Sequence, residues 1–553
     1  MRHQSWWPGA VIYQIYPRSF FDSNGDGIGD LPGVTAKLDY VASLGVDAIW
    51  LSPFFVSPMR DFGYDVADHC AVDPVFGVLE DIDRLLARAH ALGLRLVTDL
   101  VCGHTADEHQ WFRDSRSGPD DPRADWYVWA DAKPDGTPPN NWLSVFGGSA
   151  WRWEARRRQY YLHHFLPSQP SLNLRQPAVV DAMLAQARFW LDRGVDGFRV
   201  DAIDFLLHDR ALRDNPPRPP ENGIMPVKPF GLQHHTYDMM QPELPALLTR
   251  LRALVDCRPG TVLLGEVSSQ EGAYERIARY TGGGDALHLA YTLRPMRGGD
   301  AGAAVRSALA EIAAAGARGN VCWAFSNHDV ERVASRWSGD GGEPAPAQIR
   351  LLLTLLASLR GAICLYQGEE LGLSEARLAH HELRDPFGIE YFPEFRGRDG
   401  SRTPLPWQED APHAGFTAGT PWLPVPPEHA GLSVATQEAD RASPLQSWRE
   451  LVAWRKAHPA LVSGDLALLD VAAPLVGFSR TCPEERLFLV FNPSARPVKL
   501  SLSPYGALAP VEGPHATALL DGDMAVLPPH GVFVAAAEEA ATRVAGAMQA
   551  RAG

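Results

Sequence analysis

Residues 176–202 read QPAVVDAMLAQARFWLDRGVDGFRVDA, a helical pattern that ends at Gly194 and passes directly into an apolar strand closed by Asp201. A proline at the start and a glycine at the end are typical of such a helix. The stretches 32–45 and 79–93 follow the same scheme, and each ends on a glycine just before a strand. This repetition predicts helices joined to strands by tight turns.

Short apolar, β-branched runs recur along the chain, and most are followed by a helical pattern. Alternating strands and helices predict a parallel sheet covered by helices. Eight strands within about 360 residues fit a (β/α)8 TIM barrel, and this is the α/β fold class that we predict. The predicted strands are 11–17, 46–53, 94–101, 195–202, 261–267, 286–293, 320–326 and 362–368.

Two connections on the strand-to-helix side depart from this rhythm. Residues 104–173 are rich in Pro and Trp and have no strong helical period, so we predict an inserted, loop-rich subdomain there. Residues 215–229 are rich in proline, which excludes a continuous helix or a central strand. Insertions on this side of a barrel lie on the catalytic face, so both segments are expected at the active site.

The sequence pattern changes again from about residue 467, where short stretches of alternating apolar and polar residues are separated by Pro, Gly and Asn. That pattern predicts a small antiparallel β domain. The last residues, 538–553, are rich in alanine and are expected to form a helical tail. The predicted domains are 1–103 and 174–466 for the two parts of the barrel, 104–173 for the insertion and 467–553 for the carboxyl-terminal domain.

Composition and charge exclude several classes of partner. The chain has 553 residues, 45% of them hydrophobic, and a formal net charge of −15. Nucleic acids and anionic membranes are bound through clustered Lys and Arg, which this chain lacks, so neither partner is expected. No stretch approaches the roughly 20 apolar residues of a membrane span, and the amino terminus lacks the features of a signal peptide. We therefore expect a cytoplasmic enzyme, with its oligomeric state undetermined.

The six cysteines are scattered without a CxxC pair, so reduced core thiols are favoured over disulfides or a metal site. They are Cys70, Cys102, Cys257, Cys322, Cys364 and Cys482.

Three carboxylates stand at the carboxyl ends of apolar strands, where a barrel holds its catalytic groups. Asp201 ends GFRVD, Glu266 ends LLGE and Asp329 ends FSNHD. A polar strand end is common in any α/β protein, but three from separate strands, two of them beside Arg199 and His328, favour a shared site. Arg199 lies two residues before Asp201, so both side chains point to one face and the arginine is expected to keep that carboxylate ionised.

With these residues the sequence resembles the α-amylase superfamily, glycoside hydrolase family 13, and within it the group of α-glucosidases and oligo-1,6-glucosidases. The resemblance covers nearly the whole chain, and ten motifs follow in that family's order. They are YQIYPRSF, DSNGDGIGDL, DFGYDVAD, DLVCGHT, QPSLN, GFRVDAIDF, LLGEV, SNHDVER, LYQGEELG and GRDGSRTPLPW.

The resemblance implies roles for individual residues. Asp201 matches the nucleophile, Glu266 the general acid and base, and Asp329 the carboxylate that stabilises an oxocarbenium-like transition state. The positions that match the first glucose subsite are Asp61, Tyr64, His104, Arg199, His328 and Arg402. Aromatic walls for a sugar are expected from Phe146, Phe165, Trp50 and the WYVW run at 126–129, because pyranose faces stack on aromatic rings.

Read without the resemblance, several of these residues have plain structural explanations. Arg199 and Asp201 could form an ordinary buried ion pair, His104 could cap a strand end, and Tyr64 could be a core aromatic. The ordered set of motifs favours the functional interpretation.

Departures from the family pattern bear on specificity. Gly103 and Ser171 stand where relatives commonly carry Asn and Asp, so the calcium site that α-amylases hold between barrel and insertion is expected to be absent. Ala202 follows the predicted nucleophile, and a small residue there accompanies acceptance of α-1,4 links. The expected activity is that of a retaining, exo-acting α-glucosidase on short α-1,4 or sucrose-like substrates, with glucosyl transfer to sugar or alcohol acceptors.

Alternatives within catalysis share the same carboxylates: a glucosyltransferase or isomerase that forms trehalose or isomaltulose, and an oligo-1,6-glucosidase. Sequence alone does not separate them. A non-enzymatic binding or transporter-accessory module is disfavoured, because such relatives typically lose a carboxylate or gain a membrane anchor.

The stretch DSNGDGIGD at 22–30 resembles the first half of an EF-hand calcium loop. Its twelfth position is Gly33 rather than Glu, and a strand and one helix flank it rather than two helices. Similar glucosidases hold a structural ion here, so a structural Ca²⁺ or Mg²⁺ is expected as the cofactor, with a solvated Asx-rich turn as the alternative. The predicted ligands are Asp22, Asn24, Asp26, Ile28 and Asp30.

Overall fold

The computed structural model describes residues 5–220, 223–269, 271–316, 319–338 and 344–537. Its centre is an eight-stranded parallel sheet with the order β6-β5-β4-β3-β2-β1-β8-β7, in which each strand lies beside its neighbour in the chain. A parallel bridge between Ala290 and Val321 joins the two edge strands. The strands are β1 (Val11–Ile15), β2 (Ala48–Leu51), β3 (Arg95–Leu100), β4 (Gly197–Val200), β5 (Val262–Val267), β6 (Leu289–Thr292), β7 (Cys322–Ala324) and β8 (Ala362–Tyr366). All eight predicted strands are confirmed, and with them the (β/α)8 barrel.

The barrel strands are buried on both faces, since one face fills the interior and the other meets the helices. Every residue of β1, β4 and β5 is buried, as the continuous apolar runs predicted. In the register of β3 and β4, Asp99 lies opposite Arg199. Because all eight strands run in parallel, their carboxyl ends gather the polar residues at one end of the barrel.

The helices cover the barrel and in large part end where the glycine signals predicted. Pro177–Arg193 is capped by Gly194 in the left-handed region, with φ of 102°, which a residue without Cβ adopts at little cost. The predicted helix 32–45 is two helices, because the backbone at Lys37 leaves helical geometry. The α-helices are Leu31–Ala36, Leu38–Ser43, Leu79–Ala91, Gln110–Ser115, Pro177–Arg193, Leu244–Val255, Ala273–Thr281, Ala301–Ala314, Val333–Arg336, Pro346–Ser358, Pro386–Tyr391, Pro427–Ala430, Val434–Ala439, Pro444–Ala457 and Pro459–Ser463.

The segment after β3 is rich in loops and contains a small antiparallel sheet of Trp129–Ala130, Gln159–Leu162 and Trp151–Glu154. Its aromatic residues pack on one another: Phe112 stacks on Trp129 and meets Tyr127 edge to face. The WYVW run therefore belongs to the core of the insertion, and the expectation that it forms a sugar-pocket wall is wrong. A two-stranded ribbon of Phe55–Val56 and Asp68–Val72 follows β2.

The carboxyl-terminal region forms two antiparallel sheets. One contains Asp465–Leu468, Val476–Thr481, Arg486–Phe491, Val532–Ala537 and Leu508–Pro510; the other contains Val498–Ser501, Met524–Leu527 and Leu519–Asp521. The predicted antiparallel β domain is confirmed. The helix expected at 538–553 lies outside the described residues.

All six cysteines are free thiols, but only three lie in the core. Cys102, Cys322 and Cys364 are buried, whereas Cys257 is exposed, so the prediction of core thiols fails for Cys257 and for the half-buried Cys70 and Cys482. Among the described residues, no helix combines the length and the apolar character needed to cross a bilayer.

Candidate active site

Arg199 contacts three carboxylates at the carboxyl end of the barrel. Its Nη1 lies 2.6 Å from Asp99 Oδ1 and 2.5 Å from Asp201 Oδ1, and its Nη2 lies 2.6 Å from Glu266 Oε2. The three partners come from β3, the end of β4 and β5. A guanidinium offers its donors in a fixed planar fork, so it can hold several carboxylates in set directions at once.

Asp201 and Glu266 are nearly closed off from solvent, with side chains 11% and 6% exposed. Burial raises the pKa of Asp201 to about 7, and the attraction of Arg199 only partly offsets it. Burial, with the charges of Asp201 and Asp329, raises the pKa of Glu266 to about 7. The expectation that Arg199 keeps Asp201 ionised is therefore incomplete, because burial opposes it. The two carboxyl groups titrate as a pair, and burial favours retention of a proton on that pair.

The turn after β4 orients Glu266. Ala202 adopts a left-handed conformation with φ of 40°, which costs energy for any residue with a Cβ. In this conformation its backbone N–H donates to Glu266 Oε2 over 3.1 Å. The residue that follows the predicted nucleophile thus also positions the predicted acid.

Asp329 is held by cations on the opposite side of the site. Arg398 Nη1 and Arg402 Nη2 lie 3.1 and 3.0 Å from its Oδ1. His328 Nε2 lies 3.2 Å from its Oδ2, and Gln14 Nε2 donates to the other ring nitrogen over 2.7 Å. Although burial acts to raise the pKa of Asp329, His328 and the two arginines lower it below its usual range. These neighbours therefore favour the ionised form of Asp329.

Asp61 and His104 form the end of the site next to the insertion. Asp61 accepts from Arg398 Nη2 over 2.7 Å and from Gln169 Nε2 over 2.9 Å. His104 Nε2 lies 3.0 Å from the carbonyl oxygen of Tyr64, and burial lowers its pKa to about 4. His104 is therefore neutral and can share hydrogen bonds with an uncharged sugar hydroxyl.

Some of the predicted aromatic residues pack beneath the polar residues of the site, and others lie beside them. Tyr64 stacks on His328 with 1° between the rings. Phe165 packs against His104, and Phe146 lies 5.2 Å below the guanidinium of Arg398. Trp50 is 1% exposed and donates to Asp99 Oδ2, so it supports the carboxylate cluster from below, and the expectation that it is a sugar-pocket wall is wrong.

Three segments meet one another around the mouth of the site, and we call them the rim: 141–146, the described parts of 215–233, and 385–398. The Asn141 side chain exchanges hydrogen bonds of 2.9 and 2.8 Å with the backbone of Asn215. Phe146 packs on Phe387, with ring centroids 4.7 Å apart, and Lys228 Nζ lies 4.0 Å from the Phe387 ring. Each segment thus contacts the other two.

The comparison with known proteins agrees with this arrangement. The family model for the α-amylase catalytic domain matches residues 14–464, most of the chain. The chain belongs to the α-amylase family.

Within that family it resembles α-glucosidases. A probable α-glucosidase of Rhizobium meliloti (strain 1021) is 51% identical over 545 residues, which cover 96% of this chain and 97% of that protein. An oligo-1,6-glucosidase of Heyndrickxia coagulans is 37% identical over 529 residues, 89% of this chain and 93% of that protein. The solved structure of an α-glucosyl transfer enzyme, XgtA, has a TM-score of 0.93 at 51% identity and covers 97% of this chain and 100% of that one. The protein is a glycoside hydrolase of the α-glucosidase group.

The sequence patterns did not identify three residues of this α-amylase-family site: Asp99, Arg398 and Gln169. Asp99 is the last residue but one of β3, and Asp201 directly follows β4, so the rule that selected carboxylates at strand ends could have found Asp99. Arg398 lies in the same GRDGSR motif as Arg402, and Gln169 opens QPSLN. Arg398 also contacts Asp385 Oδ1 over 2.7 Å, a contact that no pattern in the sequence indicates.

The aspartate-rich loop lies away from this site. Asp22 Oδ1 accepts from the N–H groups of Asn24 and Gly25, its Oδ2 accepts from Gly27, and Asp26 Oδ1 accepts from Ile28. Asp30 caps the next helix by accepting from Gly33. Among the described residues no three carboxylate, imidazole or thiol groups converge as a cation site. These hydrogen bonds are the ones expected of an Asx-rich turn. The side chains of the loop are not arranged as a preformed metal site among the described residues, so the divalent ion stays a prediction.

Proposed function

We propose that the enzyme is a retaining, exo-acting α-glucosidase that works through a covalent glucosyl-enzyme on Asp201. The observation that carries this proposal is the bridge of Arg199 between Asp201 and Glu266. Carboxyl groups on neighbouring nitrogens of one guanidinium favour the short separation of about 5 to 5.5 Å that marks retaining glycosidases, rather than the roughly 6.5 to 9.5 Å of inverting ones.

In the first step Asp201 attacks the anomeric carbon while Glu266 gives its proton to the departing oxygen. Burial, which favours a proton on the carboxyl pair, supports this division of roles. In the second step Glu266 takes a proton from water or another acceptor, whose oxygen displaces Asp201 from the sugar. Asp329, held ionised by Arg398 and Arg402, stabilises positive charge that develops on the ring.

Exo-action is supported by the enclosure of the site. Arg398 contacts Asp61, Asp329 and Asp385, and in the proposal this cluster is the closed end of a pocket for one sugar ring. The contacts among the rim segments support a pocket that excludes the interior of a long glucan chain. Such a pocket accepts the non-reducing end of a short α-glucoside.

For linkage, we propose a preference for α-1,4 and sucrose-like glucosides, on the basis of the small Ala202 beside the nucleophile. We also propose glucosyl transfer to sugar and alcohol acceptors, and the likeness to an α-glucosyl transfer enzyme over the whole chain supports this addition. Water and an acceptor hydroxyl compete for the same glucosyl-enzyme. The same catalytic residues therefore serve both hydrolysis and transfer.

Initial rates on maltose, sucrose, isomaltose and soluble starch test the specificity. The proposal expects maltose or sucrose to be the best substrate, with starch yielding glucose and retaining its iodine colour until late in the reaction. Isomaltose as much the best substrate would contradict the linkage preference. Rapid loss of iodine colour would contradict exo-action.

For the loop at 22–30 we propose a structural divalent cation. The sequence of oxygen donors supports it, and the loop is also tied to residue Thr417, which donates to Asp22 Oδ2. The ion would fasten the first connection of the barrel and takes no part in the chemistry. A cytoplasmic location is proposed with it, to be tested by cell fractionation.

A further inference from the structure

Arg199 has five N–H groups, and the carboxylates of the site accept three of them. Nη1 donates to Asp99 and to Asp201, and Nη2 donates to Glu266. The donors of a guanidinium lie in one rigid plane, so one of them cannot turn without moving the other four. The acceptor of the two remaining N–H groups therefore affects where the carboxylates are held.

Tyr291 accepts both of the remaining N–H groups. Its Oη lies 3.2 Å from Arg199 Nε and 2.7 Å from Arg199 Nη2. One oxygen thus binds the edge of the guanidinium that the three carboxylates leave open. All five donors of Arg199 have an acceptor among the described residues, and this complete set holds the guanidinium against rotation in its plane.

The barrel sheet places Tyr291 for this contact. Tyr291 lies on β6, directly opposite Glu266 of β5 in the register of this parallel pair. Residues that are opposite each other project from the same face of a sheet, and both side chains are buried. The ring of Trp50 packs against that of Tyr291, with centroids 5.7 Å apart, and so supports the tyrosine from a third strand.

The Tyr291 hydroxyl orients the guanidinium without adding a charge to the site. Burial raises the pKa of Tyr291 well above its usual value, and the attraction of Arg199 only partly opposes this effect. The hydroxyl is therefore uncharged near neutral pH. A fourth carboxylate in its place would compete with Asp201 and Glu266 for the charge of Arg199, and the tyrosine does not.

We propose that Tyr291 is a positioning residue of the glucosidase reaction, which holds Arg199 so that Glu266 stands in place to protonate the departing oxygen. Tyr291 and Glu266 share one nitrogen, Nη2, so loss of the tyrosine hydroxyl would displace the acid first. Asp201 contacts the other terminal nitrogen, Nη1, and is expected to move less. The inference rests on the proposed function, since it adds a residue to the same site.

The experiment compares two glucosyl donors that differ in their need for an acid. Maltose releases a sugar hydroxyl that must be protonated, whereas α-D-glucosyl fluoride releases fluoride, which departs without a proton. The value of kcat/KM is measured for both donors with the full chain of the wild type, Tyr291→Phe and Tyr13→Phe. Tyr13→Phe is the matched control, because the buried Tyr13 hydroxyl also has a carboxylate-containing partner, donating to Glu370 Oε1 over 2.6 Å.

We expect Tyr291→Phe to lower kcat/KM for maltose by about ten- to hundredfold, a part of what a well-placed general acid supplies, and that for the fluoride by no more than about threefold. Tyr13→Phe should lower the Tm, because a buried hydrogen bond is lost, and keep the wild-type ratio of the two kcat/KM values. Both values come from one sample, so their ratio does not depend on the fraction of molecules that is folded. If isomaltose is the better substrate it replaces maltose, since its departing oxygen needs the same proton.

Failure of the two proposals can be told apart. A Tyr291→Phe variant that keeps the wild-type kcat/KM for both donors, or that loses both to the same extent, would overturn this inference and leave the glucosidase standing. A wild type that hydrolyses neither donor would refute the proposed function, and the inference with it.

Discussion

At the scale of single residues, the site depends on how one buried arginine divides its donors. Arg199 is fully buried, and its contacts with Asp99, Asp201 and Glu266 compensate charges that would otherwise be costly to bury. Tyr291 Oη adds a contact of 2.7 Å to the same guanidinium. With one cation shared among three carboxylates, burial keeps a proton on the catalytic pair, which is the state that the reaction needs.

The pH dependence follows from that pair. The pKa of Asp201 and that of Glu266 are each raised to about 7. Below this range a second proton goes onto the pair and the nucleophile is lost; above it the last proton leaves and the acid is lost. We expect kcat/KM for 4-nitrophenyl α-D-glucopyranoside to form a bell centred near neutral pH, with flanks of about tenfold per pH unit. A plateau that extends to pH 4 would contradict this.

Substitution of the two carboxylates separates their roles. Asp201→Ala should lower kcat by a factor on the order of 10⁴ or more, and Glu266→Ala by about 10² to 10⁴. Azide should rescue each variant with different stereochemistry: β-glucosyl azide from Asp201→Ala, because azide attacks the substrate directly, and α-glucosyl azide from Glu266→Ala, because it attacks the glucosyl-enzyme. The same anomer from both variants would refute the assignment.

The period-two rule and the position of strand ends predicted where Asp201, Glu266, Asp329 and Arg199 would lie, because these relations are local in the sequence. The role of Arg398 was not predictable in this way. Its contact with Asp61 joins residues 337 positions apart, and only the folded chain brings them together.

At the scale of helices and strands, features set by local sequence were again predictable, whereas features set by contacts between distant residues were not. Glycine at helix ends predicted tight turns, and Gly194 shows the left-handed conformation that such a turn requires. The break of the first helix at Lys37 has no such signal, since its neighbours are ordinary helix formers. Tyr127 and Trp129 of the insertion were assigned to the sugar pocket by residue type alone, whereas their packing on Phe112 makes them part of a core.

The loop at 22–30 allows a test of the cation with a matched variant. Asp26→Asn keeps an oxygen that can accept from the N–H of Ile28, but removes the charge that a divalent ion would need. Calcium at a hundred times its Kd should stabilise the wild type by about 2.7 kcal/mol, seen as a higher Tm than in chelator. Asp26→Asn should have the wild-type Tm in chelator and no response to calcium. A wild type whose Tm ignores calcium and magnesium would show that the Asx-rich turn is sufficient.

At the scale of the whole molecule, the catalytic carboxylates and the residues around the mouth of the site come from different parts of the chain. The barrel strands provide the carboxylates, and the insertion and the connections after β4 and β8 provide the rim. The eight strands could be predicted from apolar periodicity, because both faces of each strand are buried. The rim could not, because its contacts join Pro-rich and loop segments that have no periodicity.

The central claim is that the reaction proceeds with retention through a glucosyl-enzyme, and the anomer released first tests it most directly. Proton NMR during early hydrolysis of 4-nitrophenyl α-D-glucopyranoside, before mutarotation, resolves the two anomeric protons of glucose. We predict that α-glucose appears first and that β-glucose follows only as mutarotation proceeds. If β-glucose appears first, water attacks the substrate directly, and the assignment of Asp201 as nucleophile is wrong.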